Sequence, residues 1–349
     1  MEVSRSKIAW AAGGFLVGML LLLFGGGYVQ YTLGMWGLVI TELGILVFAI
    51  VSALVSRLDL RAVFRIRRGR AWQWRGCLYI YLGTFFITYA CSMVLSALFP
   101  QMTEVSESLT GFITSGPYIF ALIAVSILPG ICEEAWHRGT LLSSLGSLKS
   151  IVLRVVIMGL VFGLFHLDLF RFLPTMVLGM GLSYMRIKTD NMLMPMTFHA
   201  VNNLIPISIS FLLLPLAQTM EAQTVGGTDP VLGTATVIAF TTFSLASGIL
   251  FIHLGRRRLS DRPQAGAPRQ ASTLQPPPPS TPPLTISSSA SVLVPMTNEQ
   301  VAEYHAAEQR ARRTTVIIVV VCCSVVLLSC LACFGVALLE AVDVLQTSA

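Results

Sequence analysis

An all-α, polytopic membrane fold is what this sequence predicts, with an eight-helix core bundle and a ninth transmembrane helix near the C-terminus. Three observations carry that expectation. Hydrophobic residues make up 54% of the 349 positions and charged residues only 11%, against roughly 25% charged in an average soluble domain. Apolar runs long enough to cross the roughly 30 Å hydrocarbon layer recur along the chain. Lys and Arg gather in alternate gaps between those runs, as they do in cytoplasmic loops.

The apolar segments fall at about 8–28, 35–56, 77–99, 117–132, 151–167, 172–185, 192–215, 231–254 and 314–339. The first starts like a signal peptide, but it runs past Gly25 without a small-residue cleavage site and is expected to stay as a span. Arg57, Arg61, Arg65, Arg67, Arg68, Arg70 and Arg75 follow span two. Lys149 and Arg154 follow span four, Arg186 and Lys188 span six, and Arg256, Arg257 and Arg258 span eight. The intervening loops 100–116 and 216–230 carry Glu104, Glu107, Glu221 and Asp229 and no Lys or Arg. Both ends of the eight-span core (1–254) therefore face the cytoplasm by the positive-inside rule.

From 255 to 313 the composition turns to Pro, Ser, Thr and Gln, including Pro276 to Pro279, and reads as a flexible or polyproline-like cytoplasmic linker with a short charged helix at 298–313. Span nine (314–339) then places the tail, 340–349, outside the cytoplasm. Linker and ninth span read as a tethering appendage with a possible protein partner. The seven cysteines lie in or beside apolar runs, so neither a disulfide framework nor a zinc ribbon is indicated. The net charge of +6 is explained by topology; no nucleic-acid partner is expected, since no aromatic platform on a soluble fold accompanies it. The bilayer is the first partner.

Polar residues inside such helices cost a few kcal/mol by insertion scales, so each is a functional hypothesis. Glu134 and Arg138 are four apart on one helical face, in the favourable orientation for an ion pair. Glu133 is turned about 100° away and keeps its carboxylate uncommitted. His166 closes an apolar run, and His199 and Asn203 share a face of span seven. Each cluster has an ordinary structural reading: an interfacial ion network, a packed histidine, a polar pair serving a neighbouring helix. Together they have a shared chemistry, in which a carboxylate and an imidazole activate one water and two donors hold an oxyanion.

Glu133-Glu134-x-x-x-Arg138, Phe162-x-x-x-His166 and His199-x-x-x-Asn203, in that order on successive helices, resemble the three motifs of the CAAX protease and bacteriocin-processing family; Gly139 and Pro195 also suit it. The resemblance covers about residues 115–215. It implies an intramembrane endopeptidase acting on a peptide or protein, in which Glu133 and His166 activate water, His199 and Asn203 form the oxyanion site, and Glu134 and Arg138 support them. It implies no cofactor. His137 departs from the family, which commonly has Phe there; its expected place is the membrane interface.

Three other readings stand beside this one. Glu133, His166 and His199 could ligate zinc, although there is no HExxH. The chain could be a scaffold or immunity-type protein that binds without catalysis, or a transporter using Glu and His as a proton relay. Glu42, in span two, is assigned to a pairing between helices rather than to the site. A bacterial inner membrane is the expected location.

Overall fold

The computed structural model describes residues 2–99, 101–213 and 230–260, together with 284–286, 293–295 and 306. Helices α1 (Glu2–Leu20) and α2 (Gly27–Leu33) are joined by a π-helical stretch, Leu21–Gly26, and turn at Gly34 into α3 (Met35–Val55). Gly34 takes φ +55 at that turn, a conformation that side chains with a Cβ rarely adopt. A single turn, α4 (Leu60–Val63), precedes α5 (Ala71–Leu98). The next long helix is interrupted: α7 (Tyr118–Ala121), a π stretch Leu122–Ile127, α8 (Leu128–Glu134), a second π stretch Ala135–Leu141, and α9 (Leu142–Ser144). Then follow α10 (Ile151–Phe165), α11 (Leu169–Thr189), α12 (Leu193–Ser208) and α13 (Pro230–Ser260).

Five described segments are long and apolar enough to cross a membrane: Ala12–Leu33, Met35–Val55, Ala71–Leu98, Tyr118–Ser147 and Val237–Ser260. The chain is thus a multi-helix integral membrane protein. Ile151–Phe165 is apolar but shorter. Large apolar side chains such as Phe24, Val47 and Ile249 stand exposed around the bundle, as a lipid-facing surface requires. Of the segments expected beyond the core, the ninth span and tail lie outside the described residues.

Two features depart from the expected map. Residues 100–116, expected as a loop, contain the helix α6 (Met102–Thr114). Val105, Leu109, Phe112 and Ile113 make a helical stripe, and Ile113 is buried with Met35, Ala121, Ala124 and Ile207. A search for uniformly apolar runs passes over such an amphipathic segment. Within the expected linker, Leu284–Ile286 and Leu293–Pro295 pair antiparallel, Thr285 opposite Val294. Apolar and β-branched residues concentrate there, but two three-residue strands are too short to fold alone.

Small residues set the tightest approaches between helices. A Cβ on Gly83 of α5 would stand 2.9 Å from the Gly248 carbonyl oxygen of α13, and one on Gly248 would stand 3.0 Å from that of Gly83. Close backbone approach of this kind is how helices associate where no hydrophobic drive separates protein from lipid. At the far end of the same pair Leu259 is buried against Gly76, so α13 continues as a packed element past the expected core boundary at 254. Around the interrupted helix, Trp136 anchors a core with Phe15, Phe48 and Phe165, its ring 5.3 Å from Phe48 in an edge contact.

Candidate active site

The interruption of α7–α9 begins with Pro129. Its ring nitrogen has no N–H for the carbonyl four residues back, that of Val125, and the helix widens into the π stretch Leu122–Ile127 just before it. The freed acceptor is taken by another helix: Asn203 Nδ2 of α12 donates to Val125 O at 3.1 Å. Ser126 Oγ donates back to Ala200 O at 2.7 Å. Gly130 permits the approach, since a Cβ there would meet Ala200 N and Met196 O at 3.1 Å each. One turn further along this seam stand Glu133 and Glu134, opposite His199.

Glu134 and Arg138 pair as their spacing predicts. Arg138 Nη1 donates to Glu134 Oε1 at 2.7 Å, and both side chains are wholly buried. The rest of the guanidinium is also occupied: Nη2 donates to Gly179 O at 2.9 Å, Nε to Ser183 Oγ at 3.3 Å, and its carbon lies 4.3 Å from the Phe162 ring centre. Glu134 does more than neutralise Arg138, because the same Oε1 is 2.9 Å from His199 Nδ1. A carboxylate can only accept, so His199 carries its proton on Nδ1 and turns Nε2 outward. Nε2 lies 4.0 Å from Glu133 Oε2. That oxygen is buried and has no hydrogen-bond partner among the described residues.

His166 caps the C-terminus of α10, and its Nδ1 donates to Phe162 O at 2.8 Å, which leaves Nε2 as an acceptor. The Phe162 ring touches both catalytic candidates, 4.9 Å from the His166 ring and 5.5 Å from that of His199. His166 is half-buried and His199 buried. Asn203 shares the α12 face with His199, but one of its two amide hydrogens is committed to Val125 and its oxygen accepts from Asn202 Nδ2 at 3.3 Å. One amide hydrogen is left for any other acceptor.

His137 corrects an expectation. It is fully buried rather than at the interface, its Nδ1 donating to Glu133 O at 2.8 Å and its ring edge-on to Phe162 and Phe165 at 5.1 and 4.7 Å. The aromatic neighbours pack against the imidazole as another ring, and the bond to its own helix satisfies Nδ1, while Nε2 has no hydrogen-bond partner among the described residues.

Two residues that the sequence reading did not place at the site lie beside it. Glu42 is buried on α3, which packs along α8, close enough to Glu133 to feel its charge. Arg171, in the first turn of α11, acts electrostatically on both Glu133 and His166. An ionisable residue inside span two was the available signal for Glu42; nothing in spacing links Arg171 to the others. For zinc, the donors proposed were Glu133, His166 and His199. Among the described residues no three His, Cys, Asp or Glu side chains are grouped to hold a metal, and the Nδ1 of His199 is turned to Glu134, a residue outside that set.

On the side of the expected cytoplasmic loops, the α11–α12 turn is tied to the chain before α5. Asp190, left-handed at φ 49, accepts from Arg186 Nη1 at 2.8 Å and pairs with Arg65. Asn191 Nδ2 donates to Arg67 O at 2.8 Å, and Arg67 N to Asn191 Oδ1 at 3.0 Å. Partial burial alone would raise the Asp190 carboxyl, but hydrogen bonds and charge from Arg186 and Arg65 outweigh it and hold the group below the ordinary Asp value.

Comparison with known proteins adds one match. Residues 114–205 fit a family model described as type II CAAX prenyl endopeptidase Rce1-like. That stretch holds Glu133, Glu134, Arg138, His166, His199 and Asn203, and covers a minority of the chain. No curated protein and no solved structure matches.

Proposed function

We propose that this chain is an intramembrane endopeptidase that hydrolyses a peptide bond with water activated by Glu133 and His166. The observation that carries the reading is the division of labour between neighbouring carboxylates. Glu134 spends its Oε1 on both Arg138 and His199, whereas the Glu133 side chain makes no hydrogen bond among the described residues and has a buried oxygen 4.0 Å from His199 Nε2. The Rce1-like match over the same residues supports it.

In this mechanism Glu133 accepts a proton from a water whose second contact is the free Nε2 of His166. The water oxygen bonds to the peptide carbon, and the carbonyl oxygen becomes an oxyanion. His199 and the remaining amide hydrogen of Asn203 stabilise that charge in a water-poor site. Donation from His199 Nε2 requires a second ring proton; the imidazolium and Arg138 then balance Glu133 and Glu134. Collapse of the intermediate breaks the C–N bond, and the departing amine takes the proton from Glu133. Glu134 positions His199 through Nδ1 and touches no reacting atom. No step runs through zinc.

The substrate class is a peptide segment brought to the membrane. The proposed setting is a bacterial inner membrane with eight core spans and the N-terminus in the cytoplasm. The linker 255–313 would lie on that side, and the ninth span, 314–339, would leave the tail outside. Single-turnover cleavage of a peptide library by detergent-solubilised protein tests the reading. Wild type should cleave, and Glu133→Gln and His166→Ala should not, with peptide binding kept by all three. Near-normal cleavage by Glu133→Gln would remove the proposed base and the mechanism.

A further inference from the structure

Three basic loops that are far apart in sequence meet at one cavity. It has a volume of about 820 Å³ and lies between α4, the start of α5, the α9–α10 connection and the end of α11. Arg67, Arg68, Arg70, Arg154, Arg186 and Lys188 line it, with Arg138 in its wall, against only two acids, Asp59 and Asp190. None of Glu133, His166, His199 and Asn203 reaches it.

Part of this charge is already spent. Arg138 is held by Glu134 and Gly179, and Arg186 by Asp190 and the carbonyl oxygens of Ala62 and Val63. Asp59 accepts from the backbone N–H of Arg61 as the cap of α4. Arg67, Arg68 and Arg154 have no side-chain ion pair among the described residues, and the Nε of Arg154 is buried without a hydrogen-bond partner. A guanidinium with a buried donor left open calls for an acceptor beyond the described residues. The same wall carries the first residue of α10, Ile151, a helix of 15 residues whose dipole adds positive potential, with Ser150 Oγ capping the N–H of Leu153. Loop geometry presents the cations ready-made, since Asn191 clamps the backbone of Arg67 on both sides.

We infer that this cavity binds a phosphate-bearing anion through Arg67, Arg68 and Arg154, and that its occupant is the headgroup of an anionic phospholipid. Phosphate fits because guanidinium forks meet its oxygens in pairs. The lipid source follows from what flanks the cavity. Ile66 and Val152, next to Arg67 and Ile151, are 61% and 71% exposed, which offers apolar contact for acyl chains beside a polar pocket. Basic pockets between membrane helices on the side of the basic loops are where such headgroups are held. This inference does not depend on the hydrolytic reading.

Thermal melting of the full-length protein in a neutral detergent tests it, with dihexanoyl phosphatidylglycerol, dihexanoyl phosphatidylcholine or inorganic phosphate added at constant ionic strength. Phosphatidylglycerol should raise Tm with a saturable dependence, and phosphatidylcholine should not. The double variant Arg67→Gln/Arg154→Gln should bind on the order of 25-fold more weakly, about fivefold for each charge removed. An equal effect of inorganic phosphate would keep the site and move its occupant to a soluble phosphate compound. No rise with either anion, or the same rise in the variant, would overturn the inference. If the double variant does not fold, Arg68→Gln, which removes a side chain with no ion pair in the structure, serves the same comparison with about a fivefold weakening.

Discussion

Removing the Glu134 carboxylate separates its role from that of Glu133. In Glu134→Ala the Arg138 guanidinium stays wholly buried and loses its counter-charge, a change that typically costs about 3–5 kcal/mol. His199 Nδ1 loses its acceptor as well, and an unmet buried donor costs about 1–3 kcal/mol. These losses share one oxygen and do not simply add. Arg138 also keeps Gly179 O, Ser183 Oγ and the face of Phe162. The lower end of the first range, about 3 kcal/mol, is therefore the expected net effect. For a core of this size that corresponds to a fall in Tm of roughly 6–12 °C. Glu134→Gln keeps an oxygen acceptor without the charge and should fall by less. Glu133→Gln should melt closer to wild type than Glu134→Ala, because the replaced oxygen makes no hydrogen bond among the described residues and has only its 4.0 Å contact with His199 to lose. Melting followed by intrinsic fluorescence in detergent reads all three. If Glu134→Ala melts within about 2 °C of wild type, Arg138 is not relying on it and the supporting role is wrong.

Other outcomes follow from the same geometry. His199→Ala and Asn203→Ala should each reduce single-turnover cleavage on the order of 100- to 1000-fold, as loss of one oxyanion donor does. Asn203→Ala should also melt lower, since it strands Val125 O; equal turnover to wild type would take either residue out of the reaction. For Asp190 the depressed carboxyl gives the sign: its stabilisation is full above the unfolded Asp value, near 3.9, and is lost as pH falls through the lower folded value. Asp190→Asn should thus melt below wild type at pH 7, and the gap should close in acid; a gap unchanged down to about pH 2.5 would contradict the latch. A chain ending after Asp261 should run as a monodisperse species on size exclusion, whereas one ending at Leu254 loses the buried Leu259 and should aggregate. Identical behaviour of the two would show that the end of α13 is dispensable.

Spacing within one helix was the most legible part of this molecule. Glu134 and Arg138 meet because four residues make about one turn, and Glu133 is free because it is one residue out of phase. The long apolar helices were legible for the same reason that they are apolar: lipid sets their length. What could not be read were the partners across helices. That His199 turns Nδ1 to Glu134 and that Asn203 closes the gap opened by Pro129 depend on the close approach of α8 and α12 at Gly130. His137 was misplaced because its surroundings, Phe162 and Phe165, come from a different helix. Glu42 was left out because a lone carboxylate in a span has no local pattern to say what it faces.

The glycine contact between α5 and α13 bears on how the protein is put together. More than a hundred residues are synthesised between these two helices, so the groove around Gly83 enters the bilayer with its eventual occupant still unmade. Until then that face can meet only lipid or the helices made in between. Closing the bundle then brings two backbones into direct contact. Among the described helices α13 is the last to be made. The carbonyl-to-glycine fit at Gly83 and Gly248 is therefore a contact that comes late in the order of synthesis.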